Sequence, residues 1–76
     1  MEKEILALLK DLQPTFDFEE DADFIEEGYL DSFDVVTLVV DLEDKFSVLI
    51  SALDILPENF ASIKAMCQLI EKSEKR

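Results

Sequence analysis

Apolar residues recur at helical spacing in three stretches of the chain, and each stretch ends at a residue that breaks or caps a helix. Ile5, Leu8, Leu9 and Leu12 share one face of a helix predicted over residues 2–13. Glu2, Lys3, Glu4, Lys10 and Asp11 are left for solvent. Pro14 stops this helix, because the residue before a proline is pushed out of the helical region. Val35, Leu38, Val39, Leu42 and Phe46 follow i, i+3, i+4, i+7 and i+11, which predicts a second helix over 32–46. The run VVTLVV taken alone would suit a strand. The helix is preferred because Asp34, Asp41 and Asp44 fall opposite the apolar face. Ile63, Met66, Cys67 and Ile70 form the buried stripe of a last helix over 63–73, with Ser62 as its N-cap. A short helical turn is expected at Pro57–Phe60, since proline suits a first helical position, and Asp54 is expected to cap a turn nearby. The closing KSEKR is expected to fray.

Between the first two helices lies PTFDFEEDADFIEEGYLD, residues 14–31. So long a connection in a small domain is either functional or packed by its own side chains. Phe16, Phe18, Phe24, Ile25, Tyr29 and Leu30 imply that it is pinned to the bundle. Gly28, the only glycine, is expected to take a turn conformation closed to other residues. The fold class is therefore all-α, a three- to four-helix bundle with a long loop after the first helix, and residues 1–76 form one domain. With 49% hydrophobic residues the chain can bury one core, although a domain of this size hides only about 60% of its unfolded surface.

Charge changes the picture more than composition does. Seven basic residues stand against 19 acidic ones, a formal net charge of −12. Between Lys10 and Lys45 there are 13 acids and no basic residue. A phosphate backbone would be repelled, so nucleic acid is a poor partner. A basic protein surface would be attracted and steered. The same acids could instead serve solubility alone, and charge does not decide between the two. No apolar run approaches the length of a membrane span, and the first residues have no signal-type apolar region. A cytoplasmic monomer is expected. The single cysteine, Cys67, rules out an intramolecular disulfide, and the absence of histidine removes the commonest general base and metal ligand.

Chemistry is most readily sought where the long loop meets the second helix, at Gly28-Tyr29-Leu30-Asp31-Ser32-Phe33-Asp34. Asp31 and Ser32 are both good cap residues, and Asp34 stands near the acidic third position of a capping box. That much could be simply how a helix starts. Phe33, Val36 and Val40, however, make a second apolar stripe at i, i+3 and i+7, beginning next to Ser32 and bordered by Asp34, Asp41 and Asp44. A helix with so wide an apolar surface is either packed on two sides or shows part of it to a partner.

The stretch Asp31-Ser32-Phe33-Asp34-x-Val36-x-Leu38-Val39-x-x-Leu42-Glu43-x-x-Phe46 resembles the phosphopantetheine attachment segment of acyl carrier proteins, which typically reads D-S-L before an acidic amphipathic helix. The order of elements along the whole chain is similar too. Gly28-Tyr29-Leu30-Asp31-Ser32 is closer to D-alanyl and related stand-alone carriers, and Ile50-Ser51-x-x-Asp54-Ile55-x-Pro57-Glu58-Asn59-Phe60 also looks like certain small bacterial carriers. Phe33 departs from the usual leucine, keeping the apolar anchor but enlarging it. The resemblance implies a 4′-phosphopantetheine arm on Ser32, attached by a phosphopantetheinyl transferase that brings its own Mg²⁺ and recognises Asp31. It implies that Phe33, Asp34, Val36, Val40, Asp41 and Asp44 meet the transferase and the basic docking surfaces of enzymes that load and use acyl or aminoacyl cargo.

Three other readings stand beside this one. Asp17, Glu19, Asp21 and Asp23 suggest a calcium loop, but Ala22 stands where an EF-hand needs glycine and Gly28 where it needs the bidentate glutamate. A carrier-like fold could act as an interaction module that is never modified. Catalysis is the poorest fit, because no feature fixes two carboxylates across a cleft and Cys67 and Met66 lie on a buried stripe.

Overall fold

The computed structural model describes residues 1–19 and 22–76. Three α-helices carry the fold: α1 (Glu2–Leu12), α2 (Ser32–Phe46) and α3 (Ile63–Lys72). Two short 3₁₀ turns, Ala52–Asp54 and Pro57–Phe60, join α2 to α3. The helical pattern thus predicts α2 to the residue, while α1 and α3 each stop one residue early. Gln13 leaves α1 with φ −136° and ψ 78°, outside the helical region that Pro14 disfavours for its neighbour.

Helix α1 packs against both α2 and α3. Ile5 and Leu9 from α1, Val35, Leu38 and Leu42 from α2, and Met66, Leu69 and Ile70 from α3 form one buried cluster. Phe60, on the second 3₁₀ turn, is fully buried among them. Leu69 and Phe60 are core residues that the expected stripe of α3 does not include.

The long loop supplies Phe18, Phe24 and Leu30 to the same core, with Phe16, Ile25 and Tyr29 packed against it. Its backbone is tied down as well: the Phe24 N–H donates to the Ala61 carbonyl at 2.8 Å. Asp23 Oδ1 accepts the Ile25 and Glu26 N–H groups, each at 3.0 Å, and starts a turn that ends at Gly28. Gly28 has φ +80°, and a Cβ there would meet nothing within 4 Å. The demand for glycine is thus one of backbone conformation rather than space.

Two expectations are corrected. Asp54 does not cap its turn; Ser51 does, its hydroxyl accepting the Leu53 N–H at 3.2 Å. The closing residues do not fray. Glu74–Lys75 (β2) pairs antiparallel with Val48–Leu49 (β1), a two-stranded addition to the helical fold. The Arg76 N–H donates to the Ser47 carbonyl at 2.9 Å, and Arg76 Nη1 donates to the Glu43 carbonyl at 3.0 Å. A cation is thereby placed at the C-terminal end of α2, where it complements the helix dipole.

Candidate functional site

The start of α2 is built from overlapping local signals. Asp31 is the N-cap, in extended conformation, and its Oδ1 accepts the Asp34 N–H at 2.9 Å. Asp34 Oδ2 in turn accepts the Asp31 N–H at 3.2 Å, closing a capping box. Leu30 and Val35 flank the cap at the positions of a hydrophobic staple, and both are buried in the core. The sequence leaves open whether Asp31 or Ser32 caps the helix. Asp31 does so, and Ser32 becomes the first helical residue, exposed to solvent and relieved of capping.

Position matters for chemistry here. The first turn of a helix presents backbone N–H groups and the positive end of the helix dipole, so an anion attached at Ser32 is favoured there. Beside Ser32 opens a cleft of about 570 Å³, with Ile25, Val36, Ile55 and Pro57 among its apolar walls. A phosphodiester with an extended, flexible arm fits an exposed hydroxyl in this setting.

The second apolar stripe is exposed rather than packed. Phe33 is 79% exposed, and Val36 and Val40 are each 61% exposed. Of its acidic border, Asp41 is half-buried and Asp44 is exposed, with its carboxylate 3.7 Å from the Arg76 guanidinium. Asp34 is placed otherwise than expected. It is only 6% exposed, and its Oδ2 also accepts Gln13 Nε2 at 3.0 Å. A carboxylate at the third helical position bends back over the N-terminus to reach the cap amide, which takes it away from the solvent face.

Other parts of the site lie outside any periodic pattern. Leu53, Ile55 and Leu56, in the connection after β1, expose apolar side chains, and Ile55 lines the cleft next to Ser32. The only signal for them in the sequence is three large apolar residues in a segment that builds no helix face. Gln13 gives no signal at all, since its partner lies 21 residues away.

Two acids of the long loop, Asp17 and Asp23, serve local turns. Asp17 Oδ1 accepts the Glu19 N–H at 3.0 Å, and Asp23 starts the turn described above. Asp21 lies outside the described residues. Among the described residues, no three His, Cys, Asp or Glu side chains converge in a way that could hold a metal ion. Cys67 is half-buried at the α1–α3 face. Burial first, and then the Glu2 carboxylate, push its thiol above the ordinary value. No helix among the described residues is long and apolar enough to cross a membrane.

No curated protein and no solved structure gives a significant match to the chain. A family model described as the phosphopantetheine attachment site matches residues 3–70, a span that takes in all of α1 but Glu2, the long loop, α2 and most of α3. With the helical bundle and an exposed serine opening α2, this places the chain in the phosphopantetheine attachment site family, whose members are carrier domains with a covalently attached 4′-phosphopantetheine group.

Proposed function

We propose that Ser32 is the serine that bears 4′-phosphopantetheine, and that residues 1–76 act as one acyl carrier domain handing acyl or aminoacyl cargo between partner enzymes. The observation that carries this reading is the division of labour at the helix start. Asp31 and Asp34 close the cap on each other, and the neighbouring Ser32 is left exposed on a helix N-terminus. In the loading reaction the Ser32 hydroxyl displaces 3′,5′-ADP from coenzyme A, forming a phosphodiester and releasing its proton to the transferase. The bound arm supplies a terminal thiol that holds cargo as a thioester.

The chain's own residues hold and present. Asp31 and the helix amides fix the turn on which Ser32 sits. Phe33, Val36 and Val40 offer an apolar strip, and Asp41 and Asp44 offer charge to basic partner surfaces. Asp34, turned inward, is a structural member of the turn. In this reading the chain carries rather than catalyses: it contains no histidine, so Ser32 has no imidazole to make it a hydrolytic nucleophile. The chain acts as a monomer in the cytoplasm, where coenzyme A and the transferase meet it.

The test is intact mass after incubation with coenzyme A, Mg²⁺ and a broad-specificity phosphopantetheinyl transferase. Wild type is expected to gain one phosphopantetheine and Ser32→Ala none. Lack of addition with several transferases would replace this reading with that of an unmodified interaction module.

A further inference from the structure

Gln13 stands at the end of α1, held in place by its own N–H donating to the Leu9 carbonyl at 2.9 Å and by Pro14 behind it. Its Nε2 reaches Asp34 Oδ2 at 3.0 Å, the same oxygen that accepts the Asp31 N–H. We propose that Gln13 is a positioning residue for modification at Ser32, acting through Asp34 to hold the Asp31–Ser32 turn in the form the transferase engages. The proposal rests on the reading of Ser32 as the attachment serine.

A capping box is local, and helix ends of this kind open and close readily. The bond from Gln13 makes the box part of the tertiary structure. Helix α1 is anchored by Ile5 and Leu9, both fully buried, and Gln13, the residue that caps its C-terminal end, is tied to Leu9 and so is a positioned donor. Asp34 as a residue is only 6% exposed and its carboxylate bonds are part-buried, so a lost protein donor is not freely replaced by water. Without Gln13 the cheapest relief for this carboxylate is to swing outward, which gives up its bond to the Asp31 amide. The turn then spends part of its time open. A transferase that binds only the closed turn meets a smaller competent fraction, which raises its apparent KM and leaves kcat unchanged once the complex forms.

Two substitutions separate the donor from the space it fills. Gln13→Met keeps an unbranched chain of similar length and removes the donor. Gln13→Lys restores a donor that can reach the same carboxylate. The measurements are KM and kcat for phosphopantetheinylation by one transferase with coenzyme A, amide exchange at Asp31 and Asp34, and thermal stability. Gln13→Met is expected to raise KM roughly tenfold, equivalent to about 1.4 kcal/mol, with kcat within about twofold of wild type. Exchange at both amides should quicken, and Gln13→Lys should restore KM and exchange together.

A variant ten residues along α2 from Ser32, Leu42→Val at a fully buried site, serves as the control for general destabilisation. If it raises KM as much as Gln13→Met at equal loss of stability, the role of Gln13 is structural only and the proposal falls. An unchanged KM in Gln13→Met, or a Gln13→Lys variant as impaired as Gln13→Met, overturns it equally. Modified wild type beside unmodified Ser32→Ala keeps the attachment reading intact in those cases. Unmodified wild type removes that reading and the positioning role with it.

Discussion

The ring of Phe16 lies flat against that of Tyr29, with centroids 4.7 Å apart and planes 15° from parallel. Phe18 meets both rings edge-on, and Phe24 stacks on the far side of the cluster at 6.0 Å from Tyr29. Four aromatic residues thus fold the long loop onto itself just before the turn that presents Ser32. The loop is an acidic sequence held by an aromatic knot.

The Phe16–Tyr29 stack is expected to show a coupling energy of about 0.5–1.5 kcal/mol in a double-mutant cycle to alanine, measured by urea unfolding. Additive single effects would remove the stack as a source of stability. Phe18→Ala, which empties a site only 1% exposed, is expected to cost about 3–5 kcal/mol.

Asp31 combines a cap with a charge, and two substitutions pull them apart. Asp31→Ala is expected to lower stability by about 1 kcal/mol through loss of the cap, whereas asparagine, an equally good cap, should keep it. If the transferase reads the charge, Asp31→Asn will fold as wild type yet be modified more slowly. A variant modified at the wild-type rate would make Asp31 a cap and nothing more.

Phe33 and Val40 face solvent, so alanine at either should change unfolding free energy by no more than about 0.5 kcal/mol. Their effect belongs in partner kinetics, where both variants should be processed more slowly by the transferase. Asp44→Lys should lower the association rate chiefly at low salt, because steering between exposed charges is screened as salt rises. Equal loss at all salt concentrations would point away from steering.

The raised Cys67 pKa has two consequences with definite signs. Less thiolate is present near neutrality, so alkylation should be slower than for a free thiol and should accelerate at higher pH than usual. The unfolded chain loses this proton first as pH rises. Stability should therefore be intact below the ordinary thiol pKa and decline through the interval up to the raised one, and Cys67→Ala should flatten that decline. Rapid labelling at neutral pH would contradict the burial of this thiol.

The parts of the fold that follow from local rules are legible in the sequence. The spacing of Val35, Leu38 and Leu42 sets the buried face of α2, Ser62 caps α3 by accepting the Ala65 N–H at 3.0 Å, and Gly28 occupies its positive-φ turn. Ser32 is conspicuous for a similar reason, since the residues around it are short-range helix signals in unusual density. What escapes is non-local. A helical wheel puts Asp34 outside; the capping box turns it inward, and the donor that meets it there, Gln13 at the end of α1, is one that no local rule announces. KSEKR contains no apolar residue, so nothing in its composition announces that main-chain pairing and one guanidinium will fasten it down. Leu53, Ile55 and Leu56 belong to no periodic segment and carry no directional information until the chain has folded.

The fastening of Arg76 beside Asp44 has a practical side. With 15 residues in α2, its two ends are separated by roughly 22 Å at 1.5 Å per residue. Anything joined after Arg76, whether an affinity handle, a fluorophore or a surface linker, would be rooted at the end of the helix away from Ser32. Such a tether leaves the serine clear for the transferase but crowds Asp44. Immobilisation through that end should therefore give faithful loading assays while biasing any measurement of docking along the acidic border, and a handle ahead of Glu2 would avoid that bias.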